Sequence, residues 1–128
     1  MSARMPSATR FMLSDRGRDA LLGILENAEA AQDFVSGMSF DTFAVDRRSV
    51  YAVTRCLEII SEASRRVDPE TQLRHPHLPW RQIADAGNVY RHRYKSVSAL
   101  MIWRVVQGRM ADLVAMCRAE LDASQNEP

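Results

Sequence analysis

The chain has 128 residues, 46% of them apolar and 26% charged, with only five glycines and five prolines. That is the make-up of one folded domain, long enough to bury a core without crosslinks or a structural metal. It excludes a disordered tail, a collagen-like repeat and a disulfide scaffold. Seventeen Lys and Arg stand against sixteen Asp and Glu, a formal net charge of +1, which excludes a broad basic coat but not a local basic face.

Residues 1–13 show no period and read as a flexible N-terminal tail. From Ser14 the pattern turns helical: Leu21, Ile24, Leu25, Ala28, Ala31 and Val35 recur at spacings of three and four, with Gly37 as the stop. Phe40 and Phe43 follow in a short connector predicted to hold one helical turn. Asp46 is placed to cap a second helix over residues 47–67, in which Val50, Val53, Leu57, Ile60 and Val67 keep the spacing. Pro69 ends that helix. Pro76 and Pro79 predict a rigid, extended linker, because each proline turns its predecessor away from helix. Trp80 opens a third helix, carrying Ile83, Ala84 and Val89, to about Tyr94. Ser98 caps a fourth, with the stripe Ile102, Val106, Met110, Leu113, Cys117 and Leu121. The closing residues SQNEP read as a loose polar tail. The folded unit is therefore set at 14–122, with 123–128 as the C-terminal tail. No stretch alternates with period two for long enough to argue a sheet. The expectation is an all-α fold, an antiparallel bundle of four main helices with short extra helical turns.

Cys56 and Cys117 lack CxxC spacing and fall in apolar helical patterns, so they read as buried free thiols. The longest apolar run, residues 99–103, is far short of a membrane span. Arg4 and Arg10 are not followed by the apolar segment of a signal peptide, so the expected compartment is the cytoplasm, with no membrane association. There is no GxGxxG, Walker loop, HExxH or GxSxG motif. His75 and His77 flank Pro76, but no Cys or acidic residue sits at metal spacing nearby. They read as part of a polar loop, and neither a metal nor another cofactor is expected.

The charge is uneven. Residues 71–109 hold seven basic residues (Arg74, Arg81, Arg91, Arg93, Lys95, Arg104, Arg109) and one acid, Asp85, while the remainder of the chain is net acidic. Sixteen of the seventeen basic residues are Arg, a side chain suited to bidentate phosphate contact. Within this basic island lies the segment GNVYRHRYK. On a helix Asn88 and His92 share one face, one turn apart, and Gly87 and Arg91 share a neighbouring one. Tyr94 points roughly sideways from His92. An imidazole, an amide, a guanidinium and a phenol thus gather within about two turns. The imidazole can take a proton from a ribose 2′-OH, and the guanidinium can stabilise charge on phosphoryl oxygens. The same residues also fit a solvated basic helix face with one incidental histidine. Arg93 and Lys95 flank the set, either as sequence-independent RNA phosphate contacts or as solvated charges. Trp80 and Trp103 sit among apolar positions and read as core or dimer-interface packing rather than RNA-stacking groups. Arg55 and Glu58, three apart, read as an ordinary surface pair.

The stretch HPHLPWRQIADAGNVYRHRY resembles the signature of the HepT-like family, the HEPN-domain ribonuclease toxins, whose pattern reads roughly HPxxPWxxIxxxRNxxxHxY. His75, Pro76, Pro79, Trp80, Ile83, Asn88, His92 and Tyr94 fall on it. Arg18 and Asp19, the Phe40–Phe43 connector, the run RCLEIISEA and the helix containing Trp103 extend the resemblance over about residues 14–122. It implies a HEPN-like helical bundle that forms a homodimer, in which two copies of the motif build a composite, metal-independent RNA-cleaving cleft. It also implies the toxin of a type VII-like toxin–antitoxin pair. The partner would be a minimal nucleotidyltransferase antitoxin of the MntA type, which neutralises the toxin by AMPylation of the motif tyrosine. Carried over by position, His92 is the general base or acid, Asn88 a polar positioner and Tyr94 the modification target, and the resemblance allows Arg55 or Glu58 to face the cleft instead of forming a surface pair. One position departs: the motif arginine falls on Gly87. Arg91, one turn further on, is expected to reach back and replace the missing guanidinium. The alternative is a catalytically weak or inactive interaction module that dimerises and binds the antitoxin.

Overall fold

The computed structural model describes residues 12–92 and 97–125, with His92 described by its backbone alone. Among the described residues six helices follow in chain order: α1 (Asp15–Val35), α2 (Phe40–Val45), α3 (Arg47–Ser64), α4 (Pro69–Arg74), α5 (Trp80–His92) and α6 (Ala99–Gln125). Four are long enough to build a bundle, and α2 and α4 are the extra turns. The all-α expectation holds.

Side chains set the helix starts. Ser14 accepts the Gly17 N–H at 2.8 Å and caps α1; Ser39 caps α2 through Thr42; Asp46 caps α3 through Ser49; Ser98 accepts the Met101 N–H at 3.1 Å and caps α6. Gly37 ends α1 with φ at +78°, a conformation that costs a side-chain-bearing residue and not glycine. Ser14 also binds Asp68 twice, through its N–H at 3.0 Å and its hydroxyl at 2.6 Å, which ties the start of α1 to the residue before α4.

Two expectations around the prolines are corrected. The helix expected over residues 47–67 ends at Ser64, with Arg65 as its C-cap, so Pro69 does not stop α3; it opens α4 at the first helical position. A proline is favoured there because its missing N–H would have no helical partner. The predicted extended linker is instead α4 followed by a compact turn. The Leu78 N–H donates to the His75 carbonyl at 3.2 Å, and the Trp80 indole donates to the same carbonyl at 2.9 Å. The prolines bar helix at 75–79, but the buried Leu78 and the indole bond fold the segment back instead of extending it. At the other end, α6 runs on through Ser124 to Gln125, into the residues expected to form a polar tail.

The helices pack antiparallel. Arg18 binds Ser124, and Arg118 pairs with Glu29, so α1 and α6 run in opposite senses. Ser61 on α3 and Arg65, its C-cap, meet Gly87 and Ala84 on α5 in reversed order, so these two helices are antiparallel as well. The apolar stripes face inward. Leu21, Ile24, Ala28, Ala31, Val53, Ile102 and Cys117 are all completely buried. Phe43 on α2 is buried too and sits 5.3 Å, centroid to centroid, from Trp103, with Phe40 on another side of the indole at 6.1 Å. Trp103 and Trp80 are both half-buried against this core, as packing groups. Cys56 and Cys117 are free and buried, and burial pushes the Cys117 thiol up to about 12, which keeps it protonated and unreactive. No helix among the described residues is long and apolar enough to cross a membrane.

Candidate functional site

Of the residues singled out in the sequence, α5 carries Asn88, Arg91 and His92. Asn88 and Arg91 are exposed, and His92 is the last residue of the helix. The 3.6-residue period puts Asn88 and His92 one turn apart on one face. Arg93, Tyr94 and Lys95 lie outside the described residues.

Gly87 is where α5 touches α3. Its N–H donates to the Ser61 hydroxyl at 2.9 Å, and that hydroxyl donates to the Ala84 carbonyl, also at 2.9 Å. Arg65 donates to the same carbonyl at 2.7 Å. A Cβ placed on Gly87 would stand 2.6 Å from the Ser61 oxygen, so α3 fills the space that any side chain at this position needs. The open space above the glycine is occupied from the other direction. The Arg91 guanidinium folds back along the helix, with Nη1 at 3.1 Å from the same Cβ position and Nη2 donating to the Asn88 Oδ1 at 3.0 Å. A guanidinium thus lies over position 87 although the residue at 87 carries none.

Other residues of the basic island lie on α5 itself and on α6. Arg81 is fully exposed and only loosely paired, 3.9 Å from Asp85. On α6, Arg104 and Arg109 line an open groove of about 490 Å³ together with Leu100, Met101, Val105 and Gly108. Leu100, Met101 and Val89 are each more than a third exposed, so apolar and cationic surface alternate here. Tyr90, one residue before Arg91, is buried. Burial pushes its phenol above the ordinary value, so it stays a neutral packing group, although the charge on Arg109 pulls the other way.

His75 of the HP motif and the adjacent Arg74 serve a different end. Glu120, at 9% exposure on the inner face of α6, accepts from Arg74 Nε at 3.1 Å and meets the His75 Nε2 at 2.7 Å. Burial alone raises the Glu120 carboxyl, but the bonds from Arg74 and His75 outweigh it and hold the group below the usual carboxylate range. His75 and His77 lie ring to ring at 5.8 Å. This cluster fixes the turn from which α5 starts. Arg55, exposed, pairs at 3.8 Å with Glu58, which is largely buried, one turn along α3.

The structure brings Arg91 to Asn88 and over position 87, while Ser61 and Glu120 escaped sequence reasoning. The available signal was composition: each is a polar residue at a core position of an otherwise apolar stripe, which demands a partner.

A sequence model described as Ribonuclease HepT-like matches residues 24–120. The protein of Thermococcus cleftensis named "Probable ribonuclease HepT" is 33% identical over 90 residues, 70% of this chain and 82% of the relative. A Methanocaldococcus jannaschii protein provisionally named an RNase is 34% identical over 89 residues, 70% of this chain and 74% of its own length. A Caldanaerobacter subterraneus protein, provisionally named in the same way, is 32% identical over 96 residues, 75% and 86% of the two chains. No solved structure matches the chain.

Proposed function

The chain belongs to the ribonuclease HepT-like family, and on that premise we propose that it is a metal-independent RNA endonuclease, the toxin of a type VII-like toxin–antitoxin pair. The observation that carries this reading is the Arg91 guanidinium lying over Gly87 and bonded to Asn88. The cation that phosphoryl chemistry needs is present on the helix that carries His92.

In the proposed reaction the His92 imidazole takes the proton of a ribose 2′-OH. The 2′-oxygen forms a bond to the adjacent phosphorus, and the bond from phosphorus to the 5′-oxygen breaks. The leaving 5′-oxygen takes a proton from the second His92 of a homodimer, which leaves a 2′,3′-cyclic phosphate and a 5′-hydroxyl. Arg91 stabilises the charge that builds on the phosphoryl oxygens, and Asn88 holds Arg91 in place. Arg93 and Lys95 bind flanking phosphates. The exposed Val89, Leu100 and Met101 beside the site favour a homodimer formed around this face. A minimal nucleotidyltransferase of the MntA type is the antitoxin partner, acting by attachment of AMP to Tyr94.

The test is cleavage of a labelled RNA by purified protein in EDTA. Wild type cleaves, His92→Ala abolishes cleavage, and Arg91→Ala slows it about 100- to 1,000-fold, as loss of one preorganised oxyanion donor does. If Arg91→Ala cleaves as fast as wild type, the relocated guanidinium has no role. The absence of a charged side chain at Gly87 favours one other reading, an inactive dimerisation module that binds the antitoxin. That reading predicts no cleavage and a complex with the nucleotidyltransferase that is insensitive to salt.

A further inference from the structure

The nuclease reading leaves unused an exposed arginine–tyrosine stripe on α3. Arg47, Tyr51 and Arg55 follow at intervals of four, so they line one side of the helix over about 12 Å. Tyr51 is 64% exposed. Arg47 stands over its ring, 5.5 Å from the centroid, and also donates to its hydroxyl at 3.2 Å, which holds the ring in place from one side. Arg48 is exposed and has no hydrogen-bond or ion-pair partner among the described residues. The acids nearby are engaged: Asp46 caps α3 through Ser49, and Glu58 pairs with Arg55.

The stripe leads away from the α5 site. α3 and α5 cross at Ser61 and Gly87 and run antiparallel, so α3 toward its N-terminus and α5 toward its C-terminus point the same way. Measured along that direction from the crossing, Arg91 lies at about 6 Å, Arg55 at about 9 Å, Tyr51 at about 15 Å and Arg47 at about 21 Å. Cations and one free aromatic face are thus spaced along a line that begins level with Arg91. Interleaved guanidinium and aromatic groups of this kind bind single-stranded nucleic acid, because phosphates meet the cations and a base stacks on the ring whatever its identity.

We infer that this stripe is a binding track for single-stranded RNA that extends the α5 site, with a base stacked on Tyr51 and phosphates on Arg47, Arg48 and Arg55. The inference rests on the proposed nuclease reading for the identity of its ligand. The test is fluorescence anisotropy of the full chain with a labelled, single-stranded 2′-O-methyl oligouridylate, which has no 2′-OH and cannot be cleaved. Tyr51→Ala weakens binding about 5- to 150-fold, the loss of one base–aromatic stack, while Tyr51→Phe binds like wild type. Binding of an RNA duplex is the same for wild type and Tyr51→Ala. Equal affinity of Tyr51→Ala and wild type for the single strand overturns the track, and cleavage lost in His92→Ala then leaves the nuclease reading standing. Tyr51-dependent binding by a protein that never cleaves the unmodified RNA supports the track and overturns the nuclease reading. A wild type that does not bind the single strand overturns the track as well.

Discussion

Replacing Gly87 with Ala sets two effects against each other. In an exposed helix interior the change gains about 1 kcal/mol, because alanine loses less backbone freedom on folding. Here the added Cβ arrives 2.6 Å from the Ser61 hydroxyl and 3.1 Å from both the Ser61 Cβ and Arg91 Nη1. Ser61 is 2% exposed and its hydroxyl bridges Gly87 and Ala84. Either that hydroxyl turns away and strands buried polar groups, or α3 and α5 move apart. Each route costs about 1–3 kcal/mol, and the crowding of Arg91 adds to it. The expected net result is a loss of about 1–2 kcal/mol, seen as a lower urea midpoint with unchanged slope and a Tm lowered by about 4–8 °C.

A double-mutant cycle isolates the contact. Ser61→Ala removes the oxygen that stands 2.6 Å away, so Gly87→Ala in that background costs less than in wild type, or gains stability. The coupling between the two changes is expected to exceed about 1 kcal/mol. A Gly87→Ala protein stabilised by the full helix-propensity gain, or a cycle that is additive, refutes the claim that close approach of α3 dictates glycine here.

Three other outcomes follow from the packing and charge. Glu120→Gln lowers stability at pH 7 by about 1.5–3 kcal/mol, the range for hydrogen bonds to charged groups. Because the folded carboxyl titrates below its unfolded value, the wild type's advantage is fully present above about pH 4.5 and shrinks as pH falls through the folded value, so the two unfolding curves converge in acid. Parallel curves from pH 6 to pH 3 contradict the assignment. Phe43→Ala removes a fully buried ring packed on Trp103 and costs about 3–5 kcal/mol, measured by denaturant unfolding; a cost under about 1 kcal/mol means that α2 is not part of the core. RNA binding weakens with salt, and each of Arg93→Ala and Lys95→Ala flattens the log–log slope by about 0.7 if the residue neutralises one phosphate, whereas an unchanged slope removes it from the interface.

The long helices were legible because burial follows period. The stripe from Leu21 to Val35 on α1 is buried except for the half-buried Leu25, and the stripe from Ile102 to Leu121 on α6 is buried throughout, and spacing was enough to find both. The caps at Asp46 and Ser98 were equally local. What escaped depends on residues distant in sequence. Pro69 carries the same local signal whether it stops one helix or starts another. The turn after α4 is held by bonds to His75 and by Glu120, which is 45 residues further along the chain. Arg91 reaching toward position 87 could be read from helical spacing, but the reason for a glycine there could not, since it lies in Ser61, 26 residues upstream.

Glycine at 87 therefore has two linked consequences. It leaves α5 without a side chain at that position, and it lets α3 come close enough for Ser61 to bond the α5 backbone directly. With no side chain in the way, the surface above the glycine is the nearest place for a long cation one turn away, and Arg91 occupies it while bonded to Asn88. An arginine at 87 would begin with a Cβ in the Ser61 hydroxyl and would push α3 outward. That displacement would carry Arg55, Tyr51 and Arg47 away from Arg91, because all three ride on the same rigid helix. The position of the cation and the alignment of the α3 stripe with it thus share one physical cause, the absence of a side chain at the crossing of two helices.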